Sequence, residues 1–213
     1  MLLILARHGN TFAPGDTPVW VGAKEDLPLV DKGLEQSRDI GRGLNAAGVV
    51  PDRIIAGPLK RTRTGAALAG EHCGFSGDIE IDERLREIDY GVWGGKSDVE
   101  IAEHWGEDAI TAWRERSIPP SGAGWSPSPE RLRADARAVY DAATRDRGED
   151  VAVLIVTSNG VLRYFHALLA GEDAPLEQAK VKTGRVGAAR ITPDGPALLS
   201  WNIEPAMLKD ALS

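Results

Sequence analysis

The chain contains the stretch Leu2-Leu3-Ile4-Leu5-Ala6-Arg7-His8-Gly9-Asn10-Thr11, an apolar run followed by a polar turn that includes a glycine. An apolar run without alternation is typical of a strand buried on both faces, as in parallel sheets covered by helices. Open α/β sheets bind ligands at the carboxyl ends of their strands. The stretch therefore predicts an α/β fold with a ligand site at the end of the first strand.

The polar residues of this stretch suit the binding of a phosphoryl group. An imidazole such as His8 can act as a nucleophile, and the guanidinium of Arg7 can hold a phosphoryl group through two parallel hydrogen bonds. Gly9 lets the backbone approach a ligand, while Asn10 and Thr11 add polar groups. Taken alone, the same residues are equally compatible with an ordinary polar pair at a strand end.

A second strand and helix supply another arginine. The run Arg53-Ile54-Ile55-Ala56 predicts a buried strand, and Gly57-Pro58 separates it from a helix between about Leu59 and Cys73. Arg61 falls in the first turn of that helix, where free N–H groups and the helix dipole attract negative charge. We therefore expect an anion to bind between Arg7, His8 and Arg61.

The remaining pattern alternates strands and helices. It predicts a strand at residues 79–82, a helix at 128–145, a strand at 151–156 and a hairpin at 186–201. The capping box Ser97-Asp98-Val99-Glu100 predicts the start of a further helix, which Trp105-Gly106 closes. The hairpin implies an antiparallel edge on an otherwise parallel sheet. We predict one three-layer α/β/α domain over residues 1–213, with a small helical cap insertion at about 91–129. Trp20, Trp113 and Trp125 are expected either to wall the pocket or to pack within loop and cap.

Composition and charge narrow the class of partner. The 213 residues are 42% hydrophobic and 27% charged, with a formal net charge of −7, as in ordinary globular proteins. Nucleic-acid and anionic-membrane interfaces depend on clustered positive charge, so we expect neither partner. Cys73 is the only cysteine, and the N-terminal apolar run is too short for an export or membrane segment. A cytoplasmic location is predicted, and a homodimer is left open.

Three segments resemble motifs of the histidine phosphatase superfamily, which includes the cofactor-dependent phosphoglycerate mutases and their phosphatase relatives. Residues 7–11 resemble its RHGxT signature, residues 58–62 resemble its SPLxRA segment and residues 85–93 resemble its LxExxxGxW segment. The motifs occur in the family's order. The resemblance extends from Leu2 to about Trp201 and implies the family's α/β fold.

The resemblance also implies roles for individual residues. His8 would accept the phosphoryl group as a phosphohistidine, Arg7 and Arg61 would hold its oxygens, and Glu87 would protonate the leaving oxygen. A carboxyl group beside a dianionic phosphate has its charged form disfavoured, which suits Glu87 to this role. Without the resemblance, Glu87 would be one of six carboxylates between residues 78 and 89 on a solvated acidic surface.

The chain departs from the family pattern at its second histidine. In a pattern like SHGGxxR, counting back from Arg163 puts Ser158 at the histidine position and Asn159 at that of a glycine. We expect Ser158 or Asn159 to supply the missing donor to the phosphate, and His72, His104 and His166 to have structural or surface roles. Two further departures are a proline in place of a phosphate-binding asparagine, at position 14, and the absence of the PGGE glutamate at 120–123.

These features predict a phosphomonoester hydrolase that acts on a phosphorylated small molecule without a metal or cofactor. Loss of one preorganised donor slows an enzyme on the order of 10²–10³-fold, so a weakened enzyme is compatible with the missing histidine. The alternatives are a pseudoenzyme that binds a phosphorylated ligand and, less favoured, a phosphoglycerate mutase. A mutase is disfavoured because the substitutions fall in the pocket that must retain and return the phosphoryl group.

Overall fold

The computed structural model describes residues 1–145, 148, 150–171 and 176–213. Its strands are β1 (Leu2–Arg7), β2 (Arg53–Ala56), β3 (Ile79–Ile81), β4 (Ala152–Thr157), β5 (Val186–Thr192) and β6 (Gly195–Ile203). Its α-helices are α1 (Asp31–Ala46), α2 (Lys60–Cys73), α3 (Asp98–Arg116), α4 (Pro129–Thr144), α5 (Asn159–Ala170) and α6 (Leu208–Leu212). Short 3-10 turns lie at Glu83–Leu85, Gly91–Trp93, Leu176–Ala179 and Pro205–Met207.

The six strands form one mixed sheet in the order β3-β2-β4-β1-β5-β6. Strand β1 pairs in parallel with β4 and antiparallel with β5, and β5 pairs antiparallel with β6. The predicted α/β/α fold, with a mostly parallel sheet and an antiparallel edge, is confirmed. Arg7 lies opposite Thr157 in the parallel register, so the residues that follow each of them leave the sheet at the same edge.

Alternate residues of the central strands pack into two hydrophobic cores on opposite faces of the sheet. Leu3 and Leu5 join the core that includes α4 and α5, whereas Ile4 and Ala6 join the core that includes α1 and α2. All four side chains are buried. Burying an aliphatic side chain of leucine size contributes roughly 1.5–3 kcal/mol. These two cores fix β1 and therefore fix the direction in which its polar end leaves the sheet.

Helix α3 consists of two helical halves that are separated at Gly106. Its capping box is present, since the Ser97 side chain accepts the N–H of Glu100 and the Glu100 carboxylate accepts the N–H of Ser97 at 2.8 Å. The predicted end at Trp105-Gly106 is confirmed, because the helical backbone is interrupted at Gly106 and a second helical half then runs to Arg116. Gly106 has φ 74° and ψ 158°, a conformation that glycine adopts readily, so the helix is kinked there and then resumes.

Two glycines bring the end of β1 against the start of α1. A Cβ on Gly9 would lie 2.1 Å from the carbonyl oxygen of Gly33, and a Cβ on Gly33 would lie 2.1 Å from the carbonyl oxygen of Asn10. Neither position can therefore hold a larger residue without moving the backbone around His8. Within the part of the chain that the structure describes, no helix combines the length and apolar character needed to cross a bilayer.

Candidate active site

A cavity of about 450 Å³ opens at the carboxyl edge of the sheet. Seven of the eight predicted site residues line it, namely Arg7, His8, Asn10, Thr11, Arg61, Glu87 and Asn159. Ser158 is not among the described lining residues, although it directly precedes Asn159. The structure thus gathers side chains from the ends of β1 and β4, from the start of α2 and from the irregular segment after β3.

His8 is held with one ring nitrogen available. Its Nδ1 lies 2.7 Å from the carbonyl oxygen of Gly9, and a carbonyl oxygen can only accept, so Nδ1 carries the proton. The lone pair of a neutral His8 therefore lies on Nε2. Burial is the largest cause that holds the pKa of His8 well below 6.5, followed by the positive charges of Arg7 and Arg61. His8 is consequently a neutral imidazole near pH 7.

The lowered pKa of His8 makes a pH-dependent prediction. The unfolded chain takes up this proton at higher pH than the folded protein does, so the free energy of unfolding is expected to fall as the pH drops below about 6.5. The decrease ends once the pH passes the folded-state pKa. Urea unfolding at about pH 7.5 and about pH 5.5 should show a larger loss for the wild type than for His8→Gln. Equal losses in both proteins would contradict the depressed pKa.

Arg61 is buried and Arg7 is half-buried beside His8, and each guanidinium has N–H groups that are not engaged. Arg7 Nη1 donates to the carbonyl oxygen of Val181 at 2.7 Å, and the Arg61 Nη atoms donate to the carbonyl oxygens of Glu25 and Gly22 at 2.9 and 3.0 Å. In each guanidinium, Nε has no hydrogen-bond partner among the described residues. Burial lowers the pKa of both groups, yet an arginine stays protonated in proteins. Cations that line a cavity with unused N–H groups are suited to binding an anion.

Glu87 lies on the same cavity and is only 5% exposed. One carboxylate oxygen accepts the N–H of Ile88 at 2.9 Å, and the other accepts the N–H of Gly160 at 3.3 Å. A Cβ on Gly160 would lie 2.2 Å from a Glu87 oxygen, so only glycine fits at the start of α5 against this carboxyl group. The Glu87 carboxyl group is therefore held in one position on the cavity wall.

Ser158 and Asn159, the two candidates for the missing donor, differ in placement. The Ser158 side chain is fully buried, and its Oγ has no hydrogen-bond partner among the described residues. Asn159 lines the cavity, and its Oδ1 accepts the N–H of Val181 at 2.9 Å. Because Oδ1 is occupied by a backbone donor, the Nδ2 group is the part of Asn159 left for a ligand. The geometry favours Asn159.

The structure adds cavity residues that the sequence reasoning missed. Arg163 lines the cavity, donates to Ser117 Oγ at 2.7 Å and to the carbonyl oxygen of Arg114 at 2.9 Å, and lies over the Trp113 ring at 4.9 Å. Arg163 is four residues after Asn159, one turn along the same face of α5, and that spacing was a usable signal. Other added residues include Tyr90, Arg114, Lys180 and Thr183.

The sequence left open whether the tryptophans wall the pocket or pack with neighbouring residues, and in the structure Trp20 and Trp113 do both. Trp20 and Trp113 line the cavity and also belong to an aromatic cluster with Tyr90, Trp93 and Trp125, whose ring centroids are mostly 4.8–5.9 Å apart. The Trp20 indole N–H donates to an Asp98 carboxylate oxygen at 2.9 Å. Arg114 donates to both oxygens of the same carboxylate at 2.8 and 2.6 Å. Asp98 thereby joins the loop after β1 to helix α3.

The cavity is cationic although the chain is acidic. Its described lining contains five cationic side chains, Arg7, Arg61, Arg114, Arg163 and Lys180, against two carboxylates, Glu87 and Asp98. Partial burial, followed by the charges of Arg114, Arg163 and Arg7, lowers the pKa of Lys180. Mutual repulsion of this kind is relieved when an anion enters the cavity.

The fold and the cavity together define an α/β protein with a cavity beyond the carboxyl ends of its strands, where open α/β sheets bind their ligands. The family model described as the histidine phosphatase superfamily (branch 1) matches residues 3–204. The chain therefore belongs to the histidine phosphatase superfamily, as the three sequence motifs predicted.

Relatives and solved structures agree with this assignment. The 2,3-bisphosphoglycerate-dependent phosphoglycerate mutase of Parvibaculum lavamentivorans is 35% identical over 124 residues, which are 57% of this chain and 58% of that protein. The protein of the same name from Methylobacterium sp. strain 4-46 is 33% identical over 178 residues, 80% of this chain and 81% of that protein. A mycobacterial glucosyl-3-phosphoglycerate phosphatase superposes with a TM-score of 0.77 at 23% identity, over 95% of this chain and 99% of that one. At 23% identity, the similarity to the mycobacterial phosphatase shows a shared fold.

Proposed function

We propose that the protein is a phosphomonoester hydrolase that works through a phosphohistidine at His8. The observation that carries the proposal is the arrangement of a neutral imidazole, with its lone pair on Nε2, beside the half-buried Arg7, the buried Arg61 and a buried carboxyl group in one cavity. A nucleophile, two charge-stabilising groups and a proton donor are the parts that phosphoryl transfer through a covalent intermediate needs.

In the proposed first step, Nε2 of His8 attacks the phosphorus in line with the leaving oxygen. The N–P bond forms while the P–O bond to the alcohol breaks, and Glu87 delivers a proton to that oxygen. Arg7 and Arg61 hold the equatorial oxygens, where charge is redistributed in the transition state. The hydrogen bond from Nδ1 to Gly9 O keeps the tautomer that this step requires.

In the proposed second step, water attacks the phosphohistidine. Glu87, now ionised, accepts a proton from that water, the N–P bond breaks and inorganic phosphate leaves. His8 returns to its neutral form because burial and the neighbouring cations hold its pKa low. The amide Nδ2 of Asn159 supplies the donor that the family's second histidine would otherwise give.

The charge of the cavity favours a phosphomonoester whose alcohol portion is also anionic. A monoester dianion leaves part of the positive charge of the lining residues unbalanced, and the side chains of Arg163 and Lys180 have no carboxylate partner among the described residues. Phosphoglycerate, which appears in the names of the relatives, is a compound of this class. We therefore expect a higher kcat/KM for 3-phosphoglycerate than for glycerol 3-phosphate, which lacks the carboxylate.

A substrate panel tests the proposed function. The protein should release inorganic phosphate from p-nitrophenyl phosphate and from at least one phosphorylated metabolite, with the carboxylate-bearing members preferred. Conversion of 3-phosphoglycerate to 2-phosphoglycerate without phosphate release would favour a mutase instead.

The presence of Ser158 at the position of the second histidine supports one alternative function, a pseudoenzyme that binds a phosphorylated ligand. Phosphate binding in the cavity combined with no turnover across the panel would favour that alternative. A protein that neither binds phosphate nor turns over any member of the panel would contradict both functions.

A further inference from the structure

Residues 181–184 form hydrogen bonds with several of the residues that line the cavity. The N–H of Gly184 donates to the carbonyl oxygens of Arg7 and His8 at 3.2 Å each. Val181 accepts Arg7 Nη1 through its carbonyl oxygen and donates its N–H to Asn159 Oδ1. The same segment therefore contacts both strand ends that carry site residues.

Thr183 completes a closed ring of hydrogen bonds with Asn10 and Gln36. The backbone N–H of Asn10 donates to Gln36 Oε1 at 2.8 Å, which fixes the Gln36 amide with Nε2 as its donor. Gln36 Nε2 donates to the carbonyl oxygen of Thr183 at 3.2 Å and approaches Thr183 Oγ1 at 3.5 Å. The Thr183 hydroxyl in turn donates to Asn10 Oδ1. Backbone groups set the direction of the Gln36 amide, because an N–H can only donate and a carbonyl oxygen can only accept, whereas the bond from Thr183 to Asn10 joins two side chains.

The direction of this ring decides which end of the Asn10 side chain meets a ligand. Oδ1 is engaged by the Thr183 hydroxyl, so Nδ2 is the group available in the cavity that Asn10 and Thr183 both line. Without the hydroxyl, the carboxamide could rotate and present Oδ1, which repels a phosphate oxygen. The close packing of Gly184 on Gln36, where an added Cβ would lie 2.7 Å from the Gln36 Cβ, holds the ring in place.

We propose that Thr183 is a positioning residue, which orients the Asn10 carboxamide so that its Nδ2 donates to the bound phosphoryl group. Thr183 acts through Asn10 and need not touch the phosphoryl group. This inference rests on the proposed function, since it assumes that a phosphoryl group occupies the cavity.

Isothermal titration with inorganic phosphate tests this role without requiring turnover. Thr183→Val keeps the branched shape and removes the hydroxyl, and it should weaken phosphate binding about tenfold, the loss expected for one hydrogen bond to a charged group. Thr183→Ser keeps the hydroxyl and should stay within about twofold of the wild type. The matched control is Thr192→Val, which removes a hydroxyl that donates to Gly195 O at 3.0 Å in the β5–β6 hairpin, and it should leave phosphate affinity unchanged.

A double-mutant cycle with Asn10→Ala separates positioning from other effects. If Thr183 acts only through Asn10, adding Thr183→Val to Asn10→Ala should cause no further loss of phosphate affinity. Additive losses, normal affinity in Thr183→Val, or an equal loss in Thr183→Ser would each overturn the inference while leaving the proposed function intact. Thr183→Ala replaces Thr183→Val if urea unfolding shows that the valine variant does not fold. A wild-type protein that binds no phosphate would overturn the proposed function and this inference together.

Discussion

Replacing His8 with alanine is expected to abolish both the hydrolysis of phosphomonoesters and the formation of a phosphoenzyme. The imidazole is the proposed nucleophile, and its Nε2 lone pair has no equivalent in alanine. Loss of the nucleophile in another covalent catalyst lowers kcat on the order of 10⁶-fold, so the residual rate should fall near the background of the assay. Rapid quenching with labelled substrate should give an acid-labile, base-stable adduct in the wild type and none in the variant.

His104→Ala provides the matched control for this experiment. His104 is an exposed histidine of α3 outside the described cavity lining, so its removal should leave both turnover and the adduct unchanged. Undiminished turnover in His8→Ala would show that another group or a contaminant carries the activity. An adduct that survives in His8→Ala would place the covalent intermediate on a different residue.

Replacing Asn159 with aspartate is expected to lower kcat on p-nitrophenyl phosphate by roughly 10²–10³, the effect of removing one preorganised donor from a transition state. Aspartate keeps an oxygen that can accept the N–H of Val181, so the local hydrogen bond survives. It replaces the Nδ2 donor by an anionic oxygen, which repels the transferring group. The change therefore tests the chemical character of the group at the Nδ2 position, both its donor and its charge, rather than the anchoring of the side chain. Steady-state kinetics and urea unfolding should show lost turnover with retained stability.

Two companion variants make the Asn159 result interpretable. Asn45→Asp introduces the same charge at an exposed position of α1 and should leave kcat unchanged. Ser158→His should gain little on its own, because Asn159 is the proposed donor, but it should recover part of the rate in the Asn159→Asp background. A rise of about 10²–10³ in Ser158→His, together with normal activity in Asn159→Asp, would mean that the missing histidine has no substitute in this chain.

The sequence predicted the parts of the site that depend on local structure. Arg7 and His8 were recognisable because an unalternating apolar run has to end at the carboxyl edge of the sheet, and Arg61 because it follows a strand into the first turn of a helix. Glu87 is different, since nothing local separates it from the carboxylates around it. The family motif made Glu87 a candidate proton donor, and in the structure its side chain lines the cavity.

The remaining site residues depend on contacts between distant parts of the chain. Thr183 and Asn10 are 173 residues apart in the sequence, and no sequence pattern near either residue predicts their contact. The difference between Ser158 and Asn159 is likewise tertiary, because it follows from which of two adjacent side chains turns into the cavity at the start of α5. Gly106 shows the opposite case, in which a local signal was sufficient, because the helical backbone is interrupted at the glycine where the sequence predicts a helix end.

The position of β1 inside the sheet also governs when the site can form during synthesis. Both neighbours of β1 in the sheet, β4 and β5, lie after residue 151 in the chain. At roughly 5–20 residues per second, a nascent chain holds β1 without a hydrogen-bonded neighbour strand for on the order of 8–30 seconds. His8 is thus among the first residues made and among the last to reach its final environment. A ribosome-bound fragment that stops before β4 has the proposed nucleophile but neither the complete sheet nor the cavity around it.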